Sequence, residues 1–409
     1  MMTEMGSPQM PIGGGSSPRT AARMVALSLV AIVAGATGCG GSPDDLFTDA
    51  PVGAGTANER LGRILTGLGE KVAVPAYAAM TAAAVRLEED ATAFCDAPSA
   101  ERLRAAQAAW RSAMAAWIAA SVPQFGPIRE DNRNLRVEFW PDANNNVPRS
   151  VEQLLASGET ISADLIASRS VAAQGLPALE QLLFDPDADP LAPFLDTASG
   201  RRRCDAVGAM AANLRAIATD VEAAWRPNRG GYATELARSG AEGGAFASRG
   251  AAIEEVVNSM ITVVERTKND RLGKPLALLD GGTPVLARAE SHRSRTSLVN
   301  VLHALEALRR LYLGGEIGGE GAEEDFGFDD FLRLGGEASL DGEIERLFDL
   351  AIARARSLPA SLSEIVADPA KNADVSQLYS EVTQLTQLIK NDLSEATGVV
   401  VGFNENDGD

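Results

Sequence analysis

Apolar residues in this chain recur at steps of three and four over most of its length, and hardly anywhere at steps of two. Leu103, Ala106, Trp110, Ala113 and Trp117 keep that rhythm, as do Val207, Met210, Leu214, Ile217, Val221 and Ala224, and again Val375, Leu378, Val382, Leu385 and Ile389. Such spacing lays an apolar stripe along one face of an α-helix, and stripes of this kind pack antiparallel helices at about 20°. The predicted fold class is therefore all-α. Further helices are expected at 57–94, 149–157, 160–169, 176–184, 246–268, 295–313 and 340–357. Pro75 should kink the first of these because its ring removes a backbone donor. Ser150 and Gln153 read as a capping box, and Pro359 should stop the helix that ends near Ser357. Leu135 to Trp140, closed by Pro141, is the one extended candidate.

The N-terminus reads as an export signal. Arg19 and Arg23 precede an apolar run from Met24 to about Thr37, shorter than the ~20 residues of a spanning helix, and the small residues Ala36, Thr37 and Gly38 lead into Cys39. Residues 1–38 are thus an expected signal peptide, Cys39 an expected lipidation site, and 39–56, rich in glycine, a flexible tether. The location expected is the periplasmic face of a bacterial membrane, with the lipid anchor as the membrane partner. Cys95 and Cys204 then form an even pair in an oxidising compartment and are expected to be disulfide-bonded, closing a loop of about 110 residues.

Charge and composition narrow the functions. With 37 basic against 56 acidic residues the net charge is −19, which repels phosphate backbones, so no nucleic-acid partner is expected. Only 2 histidines and 3 cysteines are present, so a metal or catalytic site must be built mostly from carboxylates, hydroxyls or backbone. The chain contains no Gly-x-Ser-x-Gly elbow, His-Glu-x-x-His helix or Gly-Lys-Ser/Thr phosphate loop.

Leu176, Ala178, Leu179 and Glu180 repeat as Leu302, Ala304, Leu305 and Glu306, and a loop rich in aspartate and proline lies at Pro186 to Pro193. Together these favour two related helical bundles, an N-terminal one over 57–190 and a C-terminal one over 191–409.

Gly175, Leu176, Pro177, Ala178, Leu179 and Glu180, running on into Gln181, Leu182, Leu183 and Phe184, resemble the signature segment of imelysin-like proteins, whose pattern is Gly-x-His-x-x-Glu leading into a leucine-rich helix. Gln124-Phe125-Gly126-Pro127, Phe139-Trp140-Pro141-Asp142, and Gly402-Phe403-Asn404 with Asp407-Gly408-Asp409 are similar to the lipoprotein branch of that family, so the resemblance runs from about residue 57 to the end. It implies two four-helix-bundle-like halves with pseudo-symmetry, on an envelope protein often associated with iron uptake. It also implies a proposed metal site at the motif histidine and glutamate. Here the histidine position is Pro177, whose side chain has no ligand atom.

The candidate ligand-binding surface is Gly175, Glu180, Phe125, Gly126, Trp140 and Asp142, faced by a helix from Ser297 to Tyr312. Arg129, Arg133 and Arg136 are expected to order the loop by pairing with Asp142 or Glu138. The structural alternative for Glu180 is a carboxylate favoured by the helix dipole about one turn in, with Pro177 in the first turn. Metal candidates, for iron or calcium, are Glu180 and the i, i+3 pair His303 and Glu306. The stretch Glu316 to Asp330 holds seven acidic and no basic side chains and reads as a solvated loop or a weak cation site. The leading expectation is a non-enzymatic ligand- or partner-binding lipoprotein linked to iron uptake and its components. The alternatives are a metal-dependent peptidase drawing on carboxylates with His292 or His303, and a structural docking protein of the envelope.

Overall fold

The computed structural model describes residues 55–196, 198–315, 325–367 and 372–400. The expected signal peptide, Cys39, most of the tether, the acidic run Glu316 to Glu324 and the C-terminal Gly402 to Asp409 lie outside the described residues. All regular structure among the described residues is helical, with no strand, and no described helix is long and apolar enough to cross a membrane.

The stripes read from the sequence are the core. Leu103, Ala106, Trp110, Ala113 and Trp117 are buried on α3 (Ala100–Ala120), with α1 (Ala57–Gly67) and α2 (Val74–Asp96) before it. After it come the short α4 (Arg133–Val137), α5 (Asn146–Ala156), α6 (Ala163–Ser168), α7 (Gly175–Leu183), α8 (Ala192–Leu195) and α9 (Ser199–Trp225). Helices α2, α3, α7 and α9 pack into one four-helix group. The second group is α11 (Arg249–Arg266), α12 (Ser297–Leu313), α14 (Ala338–Ser357) and α16 (Asn372–Gln387), with α13 (Phe328–Gly335) and α15 (Leu362–Ala367) around it, while α10 (Tyr232–Ala237) packs on α1 and α9. Contact between α3 and α12 joins the groups, and the two similar pentapeptides fall on α7 and α12, one in each. Because α9 packs along α2, a cut at 190/191 would take α9 away from its packing partners.

Cys95 at the end of α2 is bonded to Cys204 near the start of α9, with Cα atoms 5.3 Å apart, as expected. Pro359 also has its expected effect, since α14 ends at Ser357. Pro75 sits in the first turn of α2, and the turn before it, Leu68–Ala73, is π-helical and holds Lys71, the residue whose carbonyl the proline ring crowds. Two local expectations are corrected. Ser150 is inside α5, which starts four residues earlier and is capped not by Ser150 but by Asp142: its two oxygens accept the N–H groups of Asn146 (2.8 Å) and Val147 (2.7 Å). Finally, Leu135 to Val137 belong to α4; Glu138 is extended and Phe139 to Pro141 lie outside any helix, with a cis bond between Trp140 and Pro141.

Candidate functional site

A cavity of about 570 Å³ opens where the extended piece after α4, the first turns of α7, a π-helical turn at Thr267–Gly273 and the segment 285–293 converge. Its aromatic lining is Trp110, Phe139 and Trp140. Trp110 is held by its indole N–H, which donates to the Leu176 carbonyl at 2.9 Å, tying α3 to the start of α7. Pro177 and Glu180 line it from α7, and Asp142 from the segment after Pro141. The structure thus brings together Trp140, Asp142 and Glu180 of the predicted surface.

Gly175, Phe125 and Gly126 do not line this cavity. Gly175 has φ +68°, and a Cβ there would meet the Val137 carbonyl oxygen at 2.1 Å, so it permits close backbone approach between α7 and α4. Phe125 is buried with Trp225 and Tyr232, whose rings lie 6.1 and 6.4 Å from its own, and Gly126 abuts Tyr232. The predicted facing helix, α12, contributes no lining residue but braces the wall through Asn300. The three arginines pair elsewhere than expected: Arg129 with the Gln124 carbonyl, Arg133 with Glu130, and Arg136 with Gln174 and Asn213.

Glu180 is buried, and its Oε1 accepts the Ser294 backbone N–H at 2.8 Å. Burial pushes its carboxyl above the usual range, against the hydrogen bonds from Ser294. It makes no ion pair among the described residues. Beneath it is a cluster that sequence reasoning missed. The Arg271 guanidinium, on the π-helical turn, grips Glu290 through two 2.9 Å bonds, both side chains being 2% exposed. Asn300 donates to Glu290 Oε2 and to Ser291 Oγ, each at 2.8 Å. Burial opposes ionisation of Glu290, but Arg271 and then Asn300 outweigh it and hold its carboxyl below the ordinary value.

Glu138 completes the cluster. Its Oε2 accepts the Trp117 indole N–H at 2.7 Å, while Oε1 is buried without any donor. Burial first, and the neighbouring Glu290 charge second, push its carboxyl up to about 8, against Arg271, Arg266 and Trp117. Its surroundings thus favour the neutral acid over the carboxylate. His292 also lines the cavity, and burial followed by the adjacent Arg293 lowers its pKa, keeping the imidazole neutral. No spacing motif marks this cluster, because Glu138, Arg271 and Glu290 come from three separate segments. The one available signal was the run Lys268, Asp270 and Arg271, three charges within four residues directly after α11.

The family model of imelysin (Peptidase_M75) matches residues 73–389. The chain belongs to the imelysin family. Iron-regulated protein A of Synechococcus elongatus is 25% identical over 252 residues, which cover 61% of this imelysin and 64% of that relative, a little under two thirds of its length. An imelysin-like protein from Psychrobacter arcticum shares the fold with a TM-score of 0.67 at 21% identity, over 87% of this chain and 100% of its own. A protein described as an iron-regulated protein A precursor, from Parabacteroides distasonis, aligns with a TM-score of 0.67 at 16% identity, over 84% and 96%.

A metal at the family's motif position does not fit the residues of this imelysin. Pro177 offers no donor, and one oxygen of Glu180 is taken by Ser294. Among the described residues no group of three or more histidine, cysteine, aspartate or glutamate side chains is placed to hold a metal ion. His303 and Glu306 lie 3.6 Å apart on α12, away from the cavity, where Glu306 also pairs with Arg356 at 2.6 Å. In the acidic stretch, Asp325 pairs with Lys71, and Asp329 and Asp330 with Arg333 at 2.6 and 3.0 Å.

Proposed function

We propose that this imelysin is an exported, non-enzymatic binding protein of the bacterial cell envelope, lipid-anchored at Cys39, that holds a small ligand in the cavity beside Glu180 and works with iron-uptake components. The observation that carries the binding role is the cavity itself. Its volume of about 570 Å³ suits a small molecule, and its lining combines aromatic and other apolar side chains with polar and charged ones. The basic-apolar-cysteine order of the leader supports export and anchoring, and the names of two relatives support the link to iron. A peptidase would need a metal-held water and several ligands around it, and the residues around Glu180 do not supply that set.

Two measurements test this. Cells carrying the wild-type chain and Cys39→Ala are fractionated and the mature N-terminus is identified by mass spectrometry; a diacylated Cys39 in the membrane fraction, and release of the variant, are expected. Deletion cells are then complemented under iron starvation with wild type or with Glu180→Ala/Trp140→Ala. Growth restored equally by both forms refutes a role for the cavity, and an unmodified wild-type chain in the soluble fraction refutes the anchor.

A further inference from the structure

We propose that the ligand is a small organic cation, its ammonium or guanidinium head seated against Glu138 and Glu180 and its body against the aromatic lining. This rests on the reading of the cavity as a ligand site and adds the chemical class of its occupant. The argument is one of charge and hydrogen-bond satisfaction. Arg271 and Glu290 neutralise one another through a two-bonded pair. Glu138, 4% exposed and lining the same cavity, is then a second buried carboxyl that forms no ion pair, although Arg271 and Arg266 favour its charge and it shares a hydrogen bond with Glu290, and its Oε1 accepts from no donor. An unpaired buried acceptor of this kind costs about 1–3 kcal/mol, more if charged. Asp142 and Asp270, the other carboxylates on the wall, are already engaged, the first by two backbone N–H groups and the second by Lys274 at 2.7 Å. Among the described residues Glu138, Asp142 and Glu180 make no ion pair, and of these Glu138 and Glu180 are the two that are buried. Trp110, Phe139 and Trp140 supply the rings over which organic cations are held; Trp140 already receives one, the Arg271 guanidinium, 5.8 Å from its ring centre.

In the empty cavity a proton satisfies Glu138, and a bound cation takes its place. Binding at pH 7 should therefore release close to one proton, and affinity should rise about tenfold per pH unit up to about 8, where Glu138 ionises unaided. The charged groups facing Glu138 are Arg271 on the π-helical turn, Glu290 on the 285–293 segment and Arg266 at the end of α11, with the Trp117 N–H from α3. Arg288 and Arg293 also line the cavity, and would favour an anion.

The test uses three isosteric probes that differ in charge, namely phenethylammonium, 2-phenylethanol and phenylacetate, titrated calorimetrically into the purified chain in two buffers of different ionisation enthalpy. Phenethylammonium is expected to bind at least tenfold more tightly than either of the others and to release close to one proton. Glu138→Gln, which keeps an acceptor for Trp117, should abolish the proton release and weaken binding at least tenfold. Trp140→Leu should weaken binding but leave the release intact, and the circular dichroism of both variants should match wild type. Equal binding of 2-phenylethanol, or tighter binding of phenylacetate, overturns the cation while leaving a ligand cavity in place. Absence of phenethylammonium binding, binding without proton release, or unchanged affinity in Glu138→Gln overturns the proposal outright, whereas the cavity's role stands or falls on the iron-starvation growth test.

Discussion

Glu138→Gln should change how stability depends on pH, and the sign is fixed by where the carboxyl titrates. In the unfolded chain it loses its proton near the ordinary value of 4.5; in the fold burial and Glu290 hold the proton up to about 8. Between these values the folded state binds more protons than the unfolded one. The stabilisation is thus full below pH 4.5 and is lost as pH rises through 8. At about 1.4 kcal/mol per pH unit, the wild type should lose roughly 4 kcal/mol relative to the glutamine variant between pH 5 and 8. Glu290, held low by Arg271, acts in the opposite sense, since its contribution is lost as pH falls, and does so on the acid side of that window. The two carboxyls are coupled, so the difference between the proteins reports Glu138 together with its effect on Glu290. The assay is urea unfolding followed by tryptophan fluorescence at one-unit steps from pH 5 to 9. Profiles that stay parallel, or a wild type that gains on the variant as pH rises, would refute the picture of a neutral, buried Glu138.

Gly175→Ala should cost at least about 3 kcal/mol or prevent folding, because the new methyl would stand 2.1 Å from the Val137 oxygen at φ +68°. Gly208→Ala, mid-helix on α9 with nothing within 4 Å, should instead stabilise by about 0.5–1 kcal/mol; equal thermal midpoints for the two variants would contradict this. Removing the disulfide by Cys95→Ala/Cys204→Ala should cost about 2–5 kcal/mol in urea unfolding, the loop spanning 109 residues. Arg271→Met should cost about 3–5 kcal/mol at pH 7 by leaving Glu290 charged and buried, and should recover on acidification as Glu290 takes a proton; a variant with no such recovery would argue against the pair.

The all-α architecture was legible because each long helix carries its burial as a local period: five residues from Leu103 to Trp117 and five from Val375 to Ile389 are buried as their spacing predicts. The cysteine pair and the Pro359 stop were legible for similar reasons, each being a local or composition-level constraint. The start of α5 was not, because its acceptor comes from Asp142, outside the helix, whereas a capping box is sought within one turn. The site was half legible. Glu180, Trp140 and Asp142 sit beside recognisable motifs and do meet in the cavity. Gly175, Phe125 and Gly126, from the same motifs, hold backbone and core together instead. Glu138, Arg271 and Glu290 escaped because one polar residue on a largely apolar face looks, in sequence, like any solvated one. Only the fold brings the three segments together.

The pairing of α9 with α2 has a consequence for how the molecule is made. A group whose fourth member ends at Trp225 cannot close until more than half of the polypeptide has left the ribosome. Until then α2 and α3 present an uncovered greasy flank, the kind of surface that invites association with other nascent chains. For the exported protein proposed above, this late completion would delay premature collapse and leave the Cys95–Cys204 clasp to close after α9 is made.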